Sequence, residues 1–298
     1  MSGKTVLHNL EGMNGVMFRR KSASIYVPDG ADTEKALERI THMCIAAHQD
    51  DIEMMASHGI LECFGSEDQW FCGVVVTDGA GSPRDGRYSG YTEEKMRRVR
   101  LLEQKKAAFV GEYGAAVMLG YSSAEVRNPE NSDVVEDIKE IISIARPRVI
   151  YTHNPADKHD THVSVSLRVI EALRQLPGNL MPEEFYGCEL WRGLDWMNDG
   201  EKVSLDISDR PHITGALIQV HDSQIASKRY DLAFAGRTVA NAVYGDPYSR
   251  DRYRAVIHAM DLMPLLKDED MDVAEYVEGF IRRFAQDTLS RIRRHSGK

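Results

Sequence analysis

Between residues 42 and 188 the chain alternates short apolar runs with longer amphipathic stretches, and this alternation limits the possible folds more than any other feature. The runs THMCIAAH, WFCGVVVTDG, AAVMLGY and RVIYTHNP are each followed by a stretch with apolar residues at helical spacing. Continuous apolar runs are typical of strands that are covered on both faces of a parallel sheet. The alternation predicts an α/β fold, with a Rossmann-like open, mostly parallel sheet and helices on both faces.

The length of 298 residues fits one large α/β domain. Residues 1–32 have a mixed composition with one strand candidate, ASIYVP, and we expect them to form an N-terminal arm. Residues 33–298 are predicted to form a single domain with a helical extension from about residue 228. Residues 183–207 are predicted to form two strands around a turn. The amphipathic stretch 268–294 packs either on the body or on another subunit, so the sequence does not decide whether the protein is a homo-oligomer.

Charge and composition exclude several classes of protein. The chain has 37 basic and 46 acidic residues, a net charge of −9, and its basic cluster is confined to the C-terminus, so nucleic acid is not an expected partner. No run of 18 apolar residues predicts a membrane span, and the N-terminus lacks an apolar core of signal-peptide length. The 4 cysteines form no C-x-x-C pair. We therefore expect a soluble, cytoplasmic protein.

Metal-binding side chains follow two of the predicted strands. The first strand ends at His48-Gln49-Asp50-Asp51, and the fourth ends at HNPADKHDTH, which contains His159 and His162. Ligands of open α/β sheets bind outside the carboxyl ends of the strands, where these segments converge. Two imidazoles and one carboxylate, from His48, Asp51 and His162, suit a zinc ion that keeps one position open. Asp50 then stays free as a candidate general base.

Other interpretations of the same residues stay open at this point. Asp50 or Asp51 is also a good N-cap residue for the helix that follows. The segment DKHDTH is also typical of a solvated loop at a helix start. Gly79-Ala80-Gly81 after a strand suggests a dinucleotide site, although GAGSPRDG departs from the G-x-G-x-x-G spacing and Pro83 opens a helix poorly.

Several segments together resemble one known family. AAHQDDIEM resembles the A-H-P-D-D-E motif of the LmbE-like, or PIG-L, family of zinc-dependent N-deacetylases, and HNPADKHDTHVSV resembles the second motif of that family. VVVTDGAG, VRLLEQKKAAFVGEYG and HDSQ at 221–224 are similar to further family segments. The resemblance covers roughly residues 40–225 and implies an LmbE-like fold.

The resemblance also implies residue roles. His48, Asp51 and His162 take the positions of the zinc ligands, Asp50 that of the general base, and His159 that of the histidine that stabilises the oxyanion. Four further positions are implied to contact substrate: Asp78, Arg100, His221 and Gln224. From helical spacing alone, Arg100 is equally compatible with a surface ion pair to Glu103 or Glu94. A lone histidine such as His221 is more often a structural residue.

Three departures from the family pattern bear on these roles. Gln49 replaces the usual proline, which loosens the turn but leaves the ligand atoms unchanged. Ser122 and Ser123 stand where many members have an acidic residue that contacts sugar hydroxyls, so the substrate is expected to differ from the common one.

The third departure concerns the second histidine motif. Thr161 replaces the aspartate that precedes the last histidine ligand in the family. The carboxylate that orients His159 is therefore missing unless Asp157 or Asp160 replaces it.

The resulting functional hypothesis is a metal-dependent hydrolase that removes an N-acetyl group from an N-acetylglucosamine-type amino sugar conjugate, a small-molecule partner. Zinc is the expected cofactor, although iron(II), cobalt or nickel suit the same ligands. Two alternatives stay open: a metal-dependent amidase acting on a larger N-acyl conjugate, and a non-catalytic sugar-binding relative.

Overall fold

A computed structural model describes residues 16–245, 248 and 250–297 and contains one central sheet. Its apolar β-branched runs form strands with almost no exposed side chains in the middle of the sheet. The strands in the described residues are β1 (Ser24–Tyr26), β2 (His42–Ala46), β3 (Phe71–Thr77), β4 (Ala115–Tyr121), β5 (Val149–His153), β6 (Glu184–Cys188), β7 (Val203–Asp206) and β8 (Val256–Asp261).

The strand order is β1-β4-β3-β2-β5-β6-β8-β7. The five strands from β4 to β6 in this order are all parallel to their neighbours. β1, β8 and β7 pair antiparallel, with β1 on one edge and β8 and β7 at the other. The sheet is therefore mostly parallel, as the sequence predicts.

Helices cover both faces of the sheet. They are α1 (Thr33–Glu38), α2 (Asp51–Met55), α3 (Ser57–Cys63), α4 (Glu93–Val110), α5 (Ser123–Arg127), α6 (Asp133–Ala145), α7 (Asp160–Arg174), α8 (Pro211–Gln219), α9 (Asp222–Ile225), α10 (Tyr230–Tyr244), α11 (Pro264–Lys267) and α12 (Val273–His295). Met43 and Ile45 of β2 pack in one hydrophobic cluster with α1, α6 and α7, whereas Cys44 and Ala46 pack in a second cluster with α2, α3 and α4. Alternate side chains of a buried strand thus serve two cores.

The C-terminal part differs from the sequence prediction. The predicted helical extension from residue 228 contains a strand, β8, which lies between β6 and β7. The two strands predicted within residues 183–207 exist as β6 and β7, but they are not neighbours because β8 separates them. These antiparallel pairings join segments that are about 50 to 75 residues apart, which local sequence patterns do not reveal.

At the N-terminus, residues 1–15 of the predicted arm lie outside the described residues, and β1 from the remaining part pairs with the edge strand β4. In α12, Val273, Tyr276 and Phe280 pack against the core, whereas residues from 281 onward are almost all exposed. Within the described residues, no helix has the length and apolar character that crossing a membrane requires.

The strand order places β2 and β5 side by side at the centre of the parallel strands. Successive strands run from β2 through β3 to β4 on one side and from β5 to β6 on the other. The direction of winding therefore reverses between β2 and β5. Such a switch point leaves a crevice at the carboxyl ends of the two strands, which is where open α/β sheets bind ligands. The segments beginning at His48 and at Asn154 leave β2 and β5 at this crevice.

Candidate metal centre and active site

The turn after β2 arranges two adjacent aspartates differently. Asp51 is the first residue of α2, and its Oδ2 accepts a hydrogen bond of 2.8 Å from the backbone N–H of His48. Asp50 adopts a left-handed conformation, φ 94°, which is uncommon for a residue other than glycine. Asp50 precedes α2 but makes no side-chain capping bond to it. The helix-cap interpretation of this aspartate is therefore wrong.

Three side-chain atoms predicted as metal ligands lie within 3.4 Å of one another. Nδ1 of His48 is 3.1 Å from Oδ2 of Asp51 and 3.2 Å from Nε2 of His162, and the third side of the triangle is 3.4 Å. Around a tetrahedral Zn²⁺ with bonds of about 2.0–2.1 Å, neighbouring ligand atoms are about 3.3–3.4 Å apart. The chemistry and the spacing of these atoms therefore fit a divalent ion.

His162 is held in position by two groups that sequence analysis did not assign to it. Its Nδ1 faces Oδ2 of Asp157 at 3.3 Å, so the neutral ring carries its proton there and keeps the lone pair on Nε2. The ring of His153, the last residue of β5, stacks on it at 3.9 Å and 15°. Asp157 thus supports the ring of His162. Towards His159 it bonds only the backbone N–H, at 2.9 Å.

His153 itself is a structural neighbour of the ligand set. Its Nε2 accepts a hydrogen bond of 2.8 Å from the backbone N–H of Ala47, which occupies the lone pair that would otherwise bind a metal. Burial lowers the pKa of His153 to about 4, with His162 adding to the effect, so the ring is neutral. His153 is the last residue of β5, and this position at the carboxyl end of a strand could have identified it from the sequence.

The pKa values of Asp51 and His159 are both lowered, which leaves Asp51 charged and His159 neutral. Burial alone would raise the pKa of Asp51, but His162 and His48 face its carboxylate and hold the pKa well below its usual range. Burial, with smaller contributions from His162 and His48, lowers the pKa of His159 to about 4. At neutral pH Asp51 is therefore a carboxylate, as a metal ligand must be. His159 is a neutral imidazole whose Nδ1 is buried without a hydrogen-bond partner.

Arg100 of α4 binds the turn that carries Asp50. Its Nη2 lies 3.1 Å from Oδ1 of Asp50 and also donates to the backbone oxygen of Gln49, while its Nε donates to Gln49 Oε1 at 3.2 Å. The amide of Gln49 in turn donates to the carbonyl of Thr77 at 3.2 Å. Side-chain hydrogen bonds thus hold the turn where the family proline would restrict φ.

Gly79 explains how Arg100 and Gln49 approach each other. A Cβ at this position would lie 2.5 Å from Oε1 of Gln49 and 3.1 Å from Cγ of Arg100, and φ is +70°. The glycine therefore serves the packing of the site. No helix follows it directly, because α4 begins only at Glu93, so a dinucleotide-binding turn is absent from this described segment. The surface ion pair considered for Arg100 is also wrong, since this residue is 1% exposed.

The electrostatic setting of Asp50 suits proton transfer. Burial raises the pKa of Asp50 above its ordinary value; Arg100 opposes this effect and Asp51 adds to it. Arg100 contacts only one oxygen of the carboxylate, Oδ1. No hydrogen bond from the part of the chain that the structure describes reaches Oδ2. One oxygen is thus held while the other is available to a proton donor.

A cavity of about 1010 Å³ contains this cluster. Seven of the nine residues singled out in the sequence line it: His48, Asp50, Asp51, Arg100, His159, His162 and Gln224. Ser123 and Thr161, two of the departures from the family pattern, line it as well. The structure therefore brings together residues from five separate segments of the chain.

Two predicted substrate contacts lie outside the cavity lining and have other partners. Asp78 accepts hydrogen bonds from Nε of Arg97 at 2.7 Å and from the backbone N–H of Ala80 at 2.9 Å, so it holds a turn. His221 is 1% exposed, and its Nε2 lies 3.0 Å from Oε2 of the buried Glu53. Both side chains already have partners within the fold, and a contact of either one with substrate stays a prediction.

The fold and the site define a Rossmann-like α/β domain with a candidate divalent-metal centre of two histidines and one aspartate at the switch point of the sheet. Residues 43–173 match the family model PIG-L, described as GlcNAc-PI de-N-acetylase. These residues form a PIG-L, or LmbE-like, domain, and they include the whole candidate ligand set. No curated protein sequence matches the chain.

Solved structures with the same fold are distant in sequence. One is the N,N'-diacetylchitobiose deacetylase of Pyrococcus horikoshii, 16% identical, with a TM-score of 0.61 over 76% of this chain and 85% of that chain. A second is the 4-carboxy-2-hydroxymuconate hydratase GalB of Pseudomonas putida, 16% identical, with a TM-score of 0.56 over 74% and 96%. A third is the zinc-inhibited form of a teicoplanin deacetylase, 12% identical, with a TM-score of 0.55 over 74% and 97%. At such identities the likeness shows the fold.

Proposed function

We propose that the protein is a divalent-metal-dependent hydrolase that removes the acetyl group from an N-acetylglucosamine-type conjugate. The carrying observation is the triangle of His48 Nδ1, Asp51 Oδ2 and His162 Nε2, whose sides of 3.1 to 3.4 Å fit three corners of a zinc tetrahedron, next to the half-free carboxylate of Asp50. The PIG-L domain match and a deacetylase with the same fold support the choice of amide hydrolysis.

His48, Asp51 and His162 would hold the ion, with zinc the expected metal and iron(II), cobalt or nickel alternatives. When bound, such an ion supplies Lewis-acid polarisation of a water molecule and of the amide carbonyl. Asp50 accepts the proton of the attacking water on its free oxygen, because Arg100 holds the other oxygen. A raised pKa brings this base closer to neutral pH, where proton transfer is most effective.

His159 would assist the carbonyl oxygen. As a neutral imidazole it carries one N–H donor, and a positioned donor at a developing oxyanion is typically worth about 3 to 4 kcal/mol. Protonated Asp50 then returns its proton to the departing amine, which completes the hydrolysis to acetate and a free amino sugar. Each proton therefore moves between groups that line the same cavity.

A hydratase shares this fold, so the reaction class needs a direct test. Purified protein is assayed for its metal content and for acetate release from N-acetylglucosamine glycosides, first as isolated, then after chelation, and then after readdition of Zn²⁺. The proposal expects acetate release that disappears with the metal and returns with it. A protein that binds the metal and the sugar without releasing acetate would instead be a non-catalytic relative. Release of longer acyl chains in preference to acetate would favour the broader amidase.

A further inference from the structure

The outer part of the cavity is built mainly from segments that follow the PIG-L match. Trp191 follows β6, Lys228 lies just before α10, Tyr230 is the first residue of α10, and His258 lies in β8. Lys158, just before α7, faces the same region. These residues are separate from the ligand set, and none of them has a role in the proposed hydrolysis.

Buried polar atoms on the cavity wall share one property. The buried side-chain atoms of the lining that lack a hydrogen-bond partner are all nitrogens. Among the described residues, no buried side-chain oxygen of the lining lacks one. The nitrogens are Arg100 Nη1, His159 Nδ1, His162 Nδ1, which faces Asp157, Trp191 Nε1 and His258 Nδ1. Of these, Arg100 Nη1 and Trp191 Nε1 are donors in every protonation state; an unpaired buried donor costs about 1–3 kcal/mol, so a ligand that offers acceptor oxygens would recover this free energy.

Two positively charged side chains lie against the ring of Trp191. The ammonium groups of Lys158 and Lys228 lie 4.8 Å and 4.6 Å from the centroid of its indole ring, and Tyr230 packs edge-on against the same ring. Neither lysine has an acidic partner among residues 16–245, 248 and 250–297. Two like charges on one aromatic ring repel each other, and an anion between or beside them would remove that repulsion.

The neighbouring charges do not cancel this excess. Arg237 is neutralised by Asp195 at 2.8 Å, and Arg229 by Asp231 at 2.7 Å. The carboxylate of Glu189 is used internally, since it accepts hydrogen bonds from the Leu194 backbone N–H and from Trp196, and faces Arg192. The exposed Asp160 is the lining carboxylate that lacks such a partner, against the three cations Arg127, Lys158 and Lys228. A protein of net charge −9 thus carries a positive mouth on its candidate active site.

We infer that Lys158, Lys228 and Trp191 form a subsite for a negatively charged oxyanion group, a phosphate ester or a carboxylate, in the part of the substrate beyond the acetamide. This inference rests on the proposed function and narrows it to acidic amino sugar conjugates. The subsite supplies long-range attraction and an aromatic surface for the sugar. It therefore acts on substrate capture rather than on the proton transfers.

The test compares three N-acetylglucosamine derivatives: the 1-phosphate, the carboxymethyl glycoside and the neutral methyl glycoside. For the metal-loaded wild type we expect kcat/KM to be at least about tenfold higher for one of the acidic substrates than for the neutral one, with the preference decreasing at high salt. The double variant Lys158→Gln/Lys228→Gln should lose this preference and keep its kcat/KM for the methyl glycoside. The acidic substrate with the larger loss identifies the phosphate or the carboxylate as the ligand.

Lys95→Gln is the matched control, because Lys95 lies over the ring of Tyr91 at 5.6 Å outside the cavity and should keep the preference. A double variant that retains the wild-type preference, or a wild type that prefers the neutral glycoside, overturns the inference.

Failure of the proposed function gives a different result, namely no acetate release from any of the three substrates. In that case tryptophan fluorescence is titrated with the 1-phosphate derivative for the wild type and the double variant. Any anion bound at the candidate metal centre contributes equally to both proteins, so weaker binding by the double variant supports the subsite. Equal binding overturns it.

Discussion

His42 is the first residue of β2, and His48 follows the last residue of the strand, Ala46, by two positions. The two histidines differ in how their ring nitrogens are used. At the amino end, Nδ1 of His42 lies 3.0 Å from the Thr41 hydroxyl and 3.3 Å from Sγ of Cys63. At the carboxyl end, Nδ1 of His48 faces Asp51 and His162, two further ligand-type groups. The same residue type therefore has a structural role at one end of β2 and a proposed metal-binding role at the other.

The difference follows from the topology of the sheet. The amino end is closed around His42, which is 6% exposed. Burial lowers its pKa to about 4 with smaller contributions from His58 and Arg148, so it is an uncharged interior side chain. At the carboxyl end the reversal of strand order prevents such closure and leaves a cavity. Residue type alone does not identify a site; the decisive property is a lone pair or a donor without a partner.

Matched substitutions at the two ends of the sheet test this comparison most strongly. In His162→Gln, the third ligand of the proposed centre is replaced by a weaker one. We expect the metal content to fall from about one ion per chain to near zero and acetate release to fall at least about 1,000-fold. His42→Gln is the same chemical change in the interior and should leave both quantities unchanged. Metal content is measured by elemental analysis after gel filtration.

Retention of the metal by both variants would remove the distinction between the ends of β2 and with it the ligand assignment. Loss of metal in both would show that fold stability, rather than coordination, controls binding. Circular dichroism of each variant separates these outcomes.

Asp50 provides the next largest effect and sharpens the comparison within the carboxyl end. Asp50→Asn keeps the shape of the side chain and its contact with Arg100 but cannot accept a proton. We expect kcat to fall about 100- to 10,000-fold while the metal content stays close to that of the wild type. Full turnover with normal metal content would show that another group is the base.

The sequence predicts which ligand-type side chains come together, because parallel-sheet topology determines where they lie; metal binding by them stays a prediction. Adjacent parallel strands bring their carboxyl ends to the same edge, so His48 and His162 meet although 114 residues separate them. The resemblance to a family then narrows which of the adjacent acids is a ligand. Local pattern and topology agree here, and the prediction needs no knowledge of side-chain partners.

Other parts depend on partners that a single sequence does not show. Asp78 and His221 match family segments, yet Arg97 and Glu53 already satisfy them. Trp191 was missed although it follows a strand, β6, to which the same strand-end criterion applies. His258 was missed because β8 was not recognised, since its pairing with β6 and β7 is long-range. These differences concern contacts between distant segments rather than local structure.

A substitution in α4 tests whether the polar core beneath the site is held by charge pairing. Arg100→Met leaves Asp50 and Gln49 buried without their partner, and losing one member of a buried ion pair typically costs about 3–5 kcal/mol. The free energy of unfolding is measured with denaturant. Arg98→Met, on the exposed side of the same helix, removes only an ion pair to Glu94 and should cost less than about 1 kcal/mol.

The coupling between Asp50 and Arg100 is measured by the double variant Asp50→Asn/Arg100→Met. Because the uncharged asparagine no longer needs the guanidinium, the double variant should be more stable than the sum of the two single effects by at least about 1 kcal/mol. Additive effects would show that Arg100 stabilises the turn through Gln49 alone.

The smallest expected effect returns to the amino end of β2 and concerns pH. The pKa of His42 is lowered from 6.5 to about 4 by burial, so the unfolded chain binds a proton that the folded chain does not. The contribution of His42 to stability therefore falls as the pH decreases below the unfolded pKa of 6.5. Between pH 7.5 and pH 5.5 this residue alone should account for about 1 kcal/mol of lost stability. The glutamine of His42→Gln does not titrate, so the unfolding free energy of this variant should change by about 1 kcal/mol less than that of the wild type over the same pH range. Parallel pH profiles for the two proteins would mean that His42 is solvated, and the contrast with His48 would then fail.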